Sequence, residues 1–372
     1  MRSLGATGRL SLWSARRHWL VIAAWLLSAA VLTVAAGITG SRLTTDIEFS
    51  NKPESQVARE LLLEARGTEP YFEQVIVRSE QYTVDDPAFA TFVGELTAAI
   101  RSHDDAIDPS QTFSYFEAGE RSLVSADGHT TIVPTLLRGE LDAATEHVEV
   151  LQATLDEFDG RDGFQVVTGG FASVNAAFTE ASESDLAAEF KALPVALVVL
   201  LLVFGAVVAA LLPMGLAFIA IGITFGLIAL ITQVYEMSFF VTNVMTMIGL
   251  AVGIDYALFV VARFREQRRL GAQRYEAIGI AGDTAGRAVA FSGVTVVIAL
   301  LGMFVVPTSI FRSFAIGASA VVIVTVLASV TLLPAVLSLL GDRVNALSIP
   351  FVSRAARRAT TTAASGPAPL AR

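Results

Sequence analysis

The stretch ALPVALVVLLLVFGAVVAALLPMGLAFIAIGITFGLIALITQVY, residues 192–235, contains no charged side chain. A helix rises about 1.5 Å per residue and the hydrocarbon core of a bilayer is about 30 Å thick. The run is therefore about twice as long as one membrane-spanning helix needs. It predicts two such helices joined by a tight turn, and Pro213 is the predicted break between them.

Shorter uncharged runs predict four further spans. They cover residues 19–40, 237–262, 288–311 and 313–341, and Asp255 is the one charged residue within them. The composition agrees, because 53% of the residues are hydrophobic and 16% are charged, whereas soluble proteins have roughly 25% charged residues. The sequence therefore predicts a polytopic α-helical membrane protein with six transmembrane helices.

The composition also excludes several classes of function. The chain has no cysteine, which rules out disulfide scaffolds, iron–sulfur clusters and thiol catalysis. The net charge of −9 argues against a nucleic-acid binder. A cleaved signal peptide is the alternative for residues 1–40, but the apolar run there exceeds the roughly 7–15 residues usual for a signal peptide.

Charge is segregated along the chain. Residues 41–190 carry a net charge of −20, whereas the segments 1–18, 263–287 and 342–372 together carry +11. Loops rich in Lys and Arg stay in the cytoplasm. The sequence therefore predicts a multi-pass protein of the plasma membrane with both termini cytoplasmic. Residues 41–190 would lie outside, and residues 191–341 would form the other five helices.

The segment 41–190 alternates helical and strand patterns. Helices are predicted at 53–66, 87–102 and 141–158, and strands at 71–77, 112–116, 122–137 and 164–167, with a hairpin turn at Asp127-Gly128. This order predicts an extracytoplasmic α+β domain of split βαβ type, in which helices back an antiparallel sheet. The segment has no nucleophile–base pair and no glycine-rich phosphate loop, so its sequence does not indicate an ATP-driven machine.

Asp255 is the informative residue of the spans. It precedes Arg263 by eight residues, which is about 12 Å along a helix, so it lies within the hydrocarbon region. A charged Asp at the bilayer centre costs roughly 2.5–3.5 kcal/mol, a cost that is tolerated where the group faces a bundle interior or a wet cavity. No Lys, Arg or His lies in the predicted spans, so its candidate partners are hydroxyl groups, on Tyr256, Thr246, Ser292 and Thr295.

Two roles are open for this carboxyl group. A carboxyl that loads and unloads a proton is what a proton-driven transporter needs. The alternative is a permanently neutral Asp that holds helices together through a hydrogen bond. On the same span, Gly249 and Gly253 form a G-x-x-x-G pattern on one helical face with Tyr256, and their predicted role is close helix packing.

The segment GLAVGIDYALFVVARFRE, residues 249–266, resembles the fourth-span signature of the MMPL family, named for the mycobacterial large membrane proteins, within the resistance–nodulation–division (RND) superfamily. Other segments agree with the family in order and spacing: VTGG at 167–170, TAGRA at 284–288, FSGVTV at 291–296, and LLPAV at 332–336 followed by Leu340-Gly341. The resemblance covers residues 10–350.

This resemblance implies export of lipids, lipid conjugates or other hydrophobic compounds across the plasma membrane, driven by proton influx and without another cofactor. It implies that Asp255 and Tyr256 are the proton-relay pair and that Ser292 is a polar neighbour of the relay. The external domain resembles an RND porter domain. The stretch 263–283 resembles a basic amphipathic helix that lies along the membrane.

One feature departs from the family pattern, in which the unit of one span, one domain and five spans occurs twice. This sequence shows one copy, followed after about residue 350 by an Ala/Thr/Ser/Pro-rich tail that is predicted to be disordered. The sequence therefore predicts a half-transporter, acting as a homodimer or with a related half. The alternatives are a truncated remnant and an accessory or assembly protein that does not transport. An intramembrane enzyme is disfavoured, because the spans lack a pair of acids or a Ser with a base.

Overall fold

The computed structural model describes residues 4–44, 49, 51–66 and 70–347. The helices are α1 (Ala6–Arg16), α2 (His18–Thr39), α3 (Glu54–Arg66), α4 (Pro87–Arg101), α5 (Tyr115–Ala118), α6 (Leu141–Asp156), α7 (Phe171–Phe204), α8 (Val207–Ile231), α9 (Val241–Arg269), α10 (Arg274–Leu301), α11 (Ser309–Val330) and α12 (Leu332–Leu340). The strands are β1 (Leu43–Thr44), β2 (Tyr71–Ser79), β3 (Ile107–Asp108), β4 (Thr130–Leu137), β5 (Phe164–Gly170) and β6 (Met237–Ser238). The chain divides into an α/β unit, residues 51–184, and a helical unit formed by residues 1–50 and 185–372.

Six helical segments in the described part of the chain are long and apolar enough to cross a membrane. They are His18–Thr39, Phe171–Phe204, Val207–Ile231, Val241–Arg269, Arg274–Val305 and Ser309–Asn345. The number of spans predicted from the uncharged runs is therefore confirmed. Of the segment 342–372, predicted to be a cytoplasmic tail, residues up to Asn345 belong to a short 3-10 helix, and the Ala/Thr/Ser/Pro-rich part after about residue 350 lies outside the described residues.

The break between the second and third spans was predicted at the wrong residue. It lies at Gly205 and Ala206, between the end of α7 and the start of α8, and Gly205 has a φ of +63°, a conformation that favours glycine. Pro213 lies inside α8. Helices in membranes tolerate an internal proline because neighbouring helices and local adjustments compensate for the lost backbone hydrogen bond.

Short contacts define the two ends of the helical unit. At one end β1 pairs in parallel with β6, and the N–H of Ser238 donates a hydrogen bond to Ser313 Oγ at 2.9 Å, which joins the end of α2, the α8–α9 connection and the start of α11. At the other end, Arg265 Nε donates to Asn345 Oδ1 at 2.8 Å. The arginine-rich segments therefore lie at one end of the bundle, and the side of the membrane that this end faces stays a prediction.

Residues 1–18 contain a helix that the sequence analysis did not predict. Small residues let α1 pack closely on α10, because a Cβ atom added at Gly282 would lie 2.5 Å from Ser11 Oγ. The N–H of Gly5 donates to Asp283 Oδ1 at 2.6 Å, and Ser11 Oγ donates to the carbonyl of Val330 at 3.1 Å. The N-terminal segment is thus part of the folded bundle.

The stretch 263–283, within the basic amphipathic segment predicted at 263–287, does not form a separate helix lying along a membrane. Residues up to Arg269 continue α9, a turn follows in which Gly271 has a φ of +90°, and α10 then runs without a break from Arg274 to Leu301. The side chains of Gln273 and Glu276 cap the start of α10. The helix α10 therefore begins at Arg274, in the middle of the stretch that was predicted to be one helix on the membrane surface.

The α/β unit has the predicted split βαβ arrangement. Its four-stranded sheet has the order β3-β4-β2-β5 with antiparallel neighbours, so β4 separates the parallel pair β2 and β3, and β2 separates β4 and β5. Residues in β2 alternate between buried and exposed, and the buried Val75 and Val77 pack in one cluster with Phe89 of α4 and Val148 of α6. The location of this unit outside the membrane stays a prediction.

One local assignment in this unit is wrong. Residues 112–116 do not form a strand, because Tyr115–Ala118 form the short helix α5, which starts with reciprocal hydrogen bonds between Ser114 and Glu117. The edge strand of the sheet is the short strand β3, which pairs with β4. The turn near Asp127-Gly128 is present, with a φ of +76° at Gly128, but the first arm of the predicted hairpin is reduced to the single bridge between Val124 and Thr131.

Candidate functional site

Asp255 lies on an exposed stripe of α9. The stripe consists of Met247, Ala251, Asp255 and Phe259, which follow one another at intervals of four residues and therefore share one helical face. Phe259 is 60% exposed and Met247 is 56% exposed. The sequence analysis gave a bundle interior or a wet cavity as the surroundings in which such a charge is tolerated. Asp255 is exposed on the bundle that the described residues of this chain form.

No hydrogen bond or ion pair to Asp255 occurs among the residues that the structure describes. Two of the hydroxyl groups predicted as its partners are used within their own helices. Thr246 Oγ1 donates to the carbonyl of Thr242 at 2.8 Å, and Thr295 Oγ1 donates to the carbonyl of Phe291 at 3.0 Å. The carboxyl group thus has no protein partner in the described part of the chain.

Tyr256 and Ser292 do come together. Tyr256 is 8% exposed, and its O–H donates to Ser292 Oγ at 3.3 Å, which links α9 to α10. The neighbouring Gly293 lets α10 approach α11, because a Cβ atom there would overlap Val326, whereas it would only contact the Tyr256 ring at 3.8 Å. Successive residues of a helix differ in direction by about 100°, so Asp255 and Tyr256 lie on different sides of α9 and Asp255 takes no part in this hydrogen bond.

Gly249 and Gly253 set the rotation of α9. A Cβ atom at Gly253 would lie 2.7 Å from Ala217 Cβ on α8. One at Gly249 would lie 2.6 Å from Ile221 Cγ1 and 2.8 Å from Val321 Cγ2, so this residue packs against α8 and α11. Since the glycine face is held against these helices, the stripe that contains Asp255 remains on the outside.

The helix next to α9 also exposes an apolar side. On α10, Phe291 is 78% exposed and Ile298 is 65% exposed, and Ser292 and Thr295 lie among such residues. We call these exposed residues of the two neighbouring helices the outer face: Met247, Ala251, Asp255, Phe259, Phe291, Ser292, Thr295 and Ile298. The outer face is an apolar surface that contains one carboxyl group.

The acidic α/β unit has no comparable site. Its described residues hold no cluster of His, Asp and Glu suited to a metal ion. Two of its carboxylates are held by neighbouring residues: hydrogen bonds from Thr83 lower the pKa of Asp86, and a hydrogen bond from Arg101 holds the pKa of Glu117 below its usual value. The first shift is explained by a turn, and the second mainly by the ion pair with Arg101, with a smaller effect of the helix cap at Ser114.

One buried acid was missed by the sequence analysis. Glu73 is fully buried in β2, where its carboxylate accepts hydrogen bonds from the N–H of Ser173 at 3.0 Å and from Thr168 Oγ1 at 3.2 Å. The signal was present in the sequence, because Glu73 occupies an inward position between Tyr71 and Val75 in an alternating strand. Glu73 caps the first turn of α7 and is a structural residue.

The chain is similar to a known family of membrane proteins. The sequence model of the MMPL family matches residues 52–364. The chain is 33% identical over 343 residues to the mycolic acid-containing lipids exporter MmpL11 of Mycolicibacterium smegmatis, a match that covers 90% of this chain and 35% of that protein. It is 33% identical over 275 residues to the trehalose monomycolate exporter MmpL3 of Mycobacterium tuberculosis, covering 73% of this chain and 29% of that protein.

The chain thus spans about a third of the length of these relatives. Among solved structures, the hedgehog release protein Disp from the water bear Hypsibius dujardini matches with a TM-score of 0.54 at 13% identity, covering 90% of this chain and 49% of that one. At this identity the likeness concerns the fold alone.

Proposed function

The chain belongs to the MMPL family, and we propose that it exports lipids or other hydrophobic compounds across the plasma membrane in exchange for protons, as one half of a two-part transporter. Relatives named as lipid exporters support the substrate class. Proton coupling and the half-transporter arrangement rest on the site itself.

The position of Asp255 carries this proposal. It lies about 12 Å inside the span, on the outer face, without a partner among the described residues. Acidic residues within membrane spans almost always face protein or water, and they mark proton or substrate pathways. The exposed position of Asp255 therefore supports the proposal that a second bundle covers this residue. It also supports the proposal that a proton binds to its carboxyl group during transport.

Tyr256 and Ser292 support the same role. Their hydrogen bond holds a phenol and a hydroxyl next to the helix position of the carboxyl group. Hydroxyl groups both donate and accept hydrogen bonds, so this pair can assist a proton that moves to or from Asp255. An accessory protein that does not transport would need no titratable group at this depth.

A second six-helix unit completes the site in this proposal. Repeats of transporters are often related by an axis along the membrane normal, and a two-fold dimer of identical chains reproduces that relation. Such a dimer brings two outer faces together and moves both copies of Asp255 from lipid into protein. The partner is a second copy of this chain or a related half.

Substitution of Asp255 tests the relay. We expect Asp255→Asn to abolish export that depends on the proton gradient, because Asn keeps the shape and cannot release a proton. Tyr256→Phe removes one hydroxyl and is expected to impair export less, and Ser292→Ala least. The measurement is the gradient-driven loss of a fluorescent acyl-labelled lipid from proteoliposomes at equal protein content.

Thr295→Val is the matched control on the outer face, since Thr295 is exposed and donates only to its own helix. Its export is expected to equal that of the wild type. Wild-type export by Asp255→Asn would refute the relay and leave the carboxyl group a structural role.

Cross-linking tests the second unit, and the cysteine-free chain makes single-cysteine variants clean. We expect Ala251→Cys, on the stripe with Asp255, to form disulfide-linked dimers in native membranes. Val198→Cys is the control, because Val198 is 55% exposed on α7, away from the outer face. Equal cross-linking of both variants, or monomers only with no related partner co-purifying, contradicts the half-transporter.

Labelling tests the orientation. A cysteine at Gln273, in the exposed turn between α9 and α10, should resist a membrane-impermeant thiol reagent added outside intact cells. A cysteine at Asp127 in the α/β unit should react. The opposite result would invert the proposed topology.

A further inference from the structure

A cavity of about 650 Å³ opens at the arginine-rich end of the helical unit, where α10 begins and α12 ends. Three guanidinium groups line it, those of Arg268, Arg274 and Arg343, together with the single carboxylate of Asp342. The apolar side chains of Leu339 and Leu340 form another part of its wall. The cavity thus combines a surplus of positive charge with an apolar surface.

The positive charge is only partly compensated. Arg268 pairs with Asp342 at 2.5 Å and donates to the carbonyl of Ala272 at 2.7 Å. Arg274 and Arg343 have no carboxylate partner in the described part of the chain, and Arg274 lies 5.0 Å from the centre of the Tyr275 ring. Two guanidinium groups therefore remain available, and guanidinium is the side chain best suited to bind phosphate through paired hydrogen bonds.

An apolar groove runs along the same helix. This groove, of about 270 Å³, lies between α12 and α8 and is lined by Leu332, Leu333 and Val336 on one side and by Leu212 and Gly215 on the other. The residues of α12 that line the groove and the cavity are 332, 333, 336, 339 and 340, and helical geometry places them within about 120° of one another.

The groove therefore leads along α12 towards the arginines. From Val336 to Leu340 the distance along the helix axis is about 6 Å. Together the cavity and the groove have the form of a site for a molecule with a negatively charged head and an apolar tail.

We propose that this site binds one anionic phospholipid of the adjacent leaflet, with its phosphate on Arg274 and Arg343 and one acyl chain in the groove between α8 and α12. Charge complementarity favours this occupant over residues 348–372 of the chain itself. Those residues contain four arginines and no acidic residue, so they do not complement a basic cavity. The inference does not depend on the transport activity proposed above.

Trp25 provides a reporter next to the groove. Its Nε1–H donates to Thr331 Oγ1 at 3.1 Å, and Thr331 directly precedes Leu332. With Trp13→Phe and Trp19→Phe, Trp25 is the one tryptophan left in the chain, which has three. The probe is phosphatidylglycerol with brominated acyl chains, which quenches tryptophan fluorescence on contact, compared with brominated phosphatidylcholine in nanodiscs of the full chain.

We expect phosphatidylglycerol to quench Trp25 at lower mole fraction than phosphatidylcholine. Arg274→Gln with Arg343→Gln should weaken this preference by about 10-fold or more, the loss expected from charge-assisted hydrogen bonds. The control is Arg287→Gln, an exposed arginine of α10 outside the cavity, which should leave quenching unchanged. Equal quenching by the two lipids, or equal effects of the arginine variants, overturns the proposal.

A second pair of variants tests the acyl groove. Gly215→Leu projects a side chain into the groove, where an added Cβ atom meets nothing within 4 Å, and Gly222→Leu is the control on α8 with equally open space outside the groove. We expect only Gly215→Leu to reduce quenching.

Two other occupants have their own signatures. If millimolar inorganic phosphate abolishes the preference for phosphatidylglycerol and Gly215→Leu has no effect, the cavity is a free-anion site and the lipid proposal fails. If a chain that ends at Leu347 gains quenching while the full chain shows none, the C-terminal residues occupy the groove and the proposal fails as well.

Discussion

Adding one methyl group to α9 at Gly253 should destabilise the protein, and removing the facing methyl group from Ala217 on α8 should offset part of that loss. In Gly253→Ala the new Cβ atom would lie 2.7 Å from Ala217 Cβ and 3.0 Å from Ala217 Cα. Carbon atoms in contact prefer about 3.5–4.0 Å, so the two helices must separate by roughly 1 Å. Neither partner atom is on a flexible side chain that could swing away.

The magnitude follows from two opposing effects. Overpacking of this kind costs about 1–3 kcal/mol, whereas replacement of a helical Gly by Ala contributes about 1 kcal/mol of helix propensity. We therefore expect Gly253→Ala to lower the free energy of unfolding by about 1 kcal/mol. The double variant Gly253→Ala/Ala217→Gly moves the methyl group from α8 to α9, so the number of atoms between the two helices does not change. The two substitutions should then deviate from additivity by about 1–3 kcal/mol in the stabilising direction.

The assay is reversible unfolding of the purified protein in mixed micelles with increasing sodium dodecyl sulfate, followed by circular dichroism. Gly222→Ala is the control on α8, because an added Cβ atom there has nothing within 4 Å, and it should be at least as stable as the wild type. Equal stability of Gly253→Ala and Gly222→Ala, or strict additivity in the double variant, would refute the close packing that orients Asp255.

Two further predictions concern the α/β unit. Glu73→Ala leaves the buried N–H of Ser173 without its acceptor, so we expect a loss of about 2–3 kcal/mol, seen in hydrogen exchange as faster opening of the first turn of α7, with Glu73→Gln intermediate. Glu117→Gln removes a carboxylate whose pKa is lowered mainly by the hydrogen bond from Arg101. The charged carboxylate therefore stabilises the fold at any pH above the pKa of Glu117 in the unfolded chain. This stabilisation is lost as the pH falls through the lower pKa of the folded state. Because Glu117 is 46% exposed, the variant should be less stable than the wild type by no more than about 1 kcal/mol at pH 7. The difference should vanish at acidic pH, below the pKa of Glu117 in the folded state. Thermal unfolding of both proteins at a series of pH values measures it.

The helical unit was predictable where a single strong effect decides the structure. Uncharged runs of sufficient length define spans, so six spans were found. The turn between the second and third was misplaced because proline was weighted over glycine. Gly205 can adopt a positive φ and so reverse the chain, whereas the missing N–H of Pro213 is tolerated within a helix surrounded by other helices.

The orientation of the site was less accessible to sequence reasoning. Helical spacing correctly grouped Gly249, Gly253 and Tyr256 on one face, and the structure holds that face against neighbouring helices. The direction of Asp255 depends on which helices surround α9, and that arrangement is a property of the whole bundle. The cost of a charge in lipid predicts only that Asp255 meets protein or water, and it does not decide whether these belong to its own bundle or to a second unit.

The helix α1 was missed for a different reason. The segment 6–16 is short and contains basic residues, and an N-terminal segment of this kind is usually interpreted as an unstructured tail. The small residues Gly8, Ser11 and Ala15 are spaced at three and four, which is the pattern of a face that packs closely, and all three are buried. Their partners lie at Gly279 and Gly282, so the signal requires a comparison across more than 260 residues of sequence.

The anchoring of α1 has a consequence for synthesis of the protein. The hydrogen bonds from Gly5 to Asp283 and from Ser338 to Ala15 span 278 and 323 residues. At a translation rate of about 5–20 residues per second, α1 leaves the ribosome roughly 15–65 s before its partners exist. During that interval its buried small residues have no surface to pack on, and closure of the bundle must wait for the last spans. The helix α1 therefore docks only after its partners on α10 and α12 have been made.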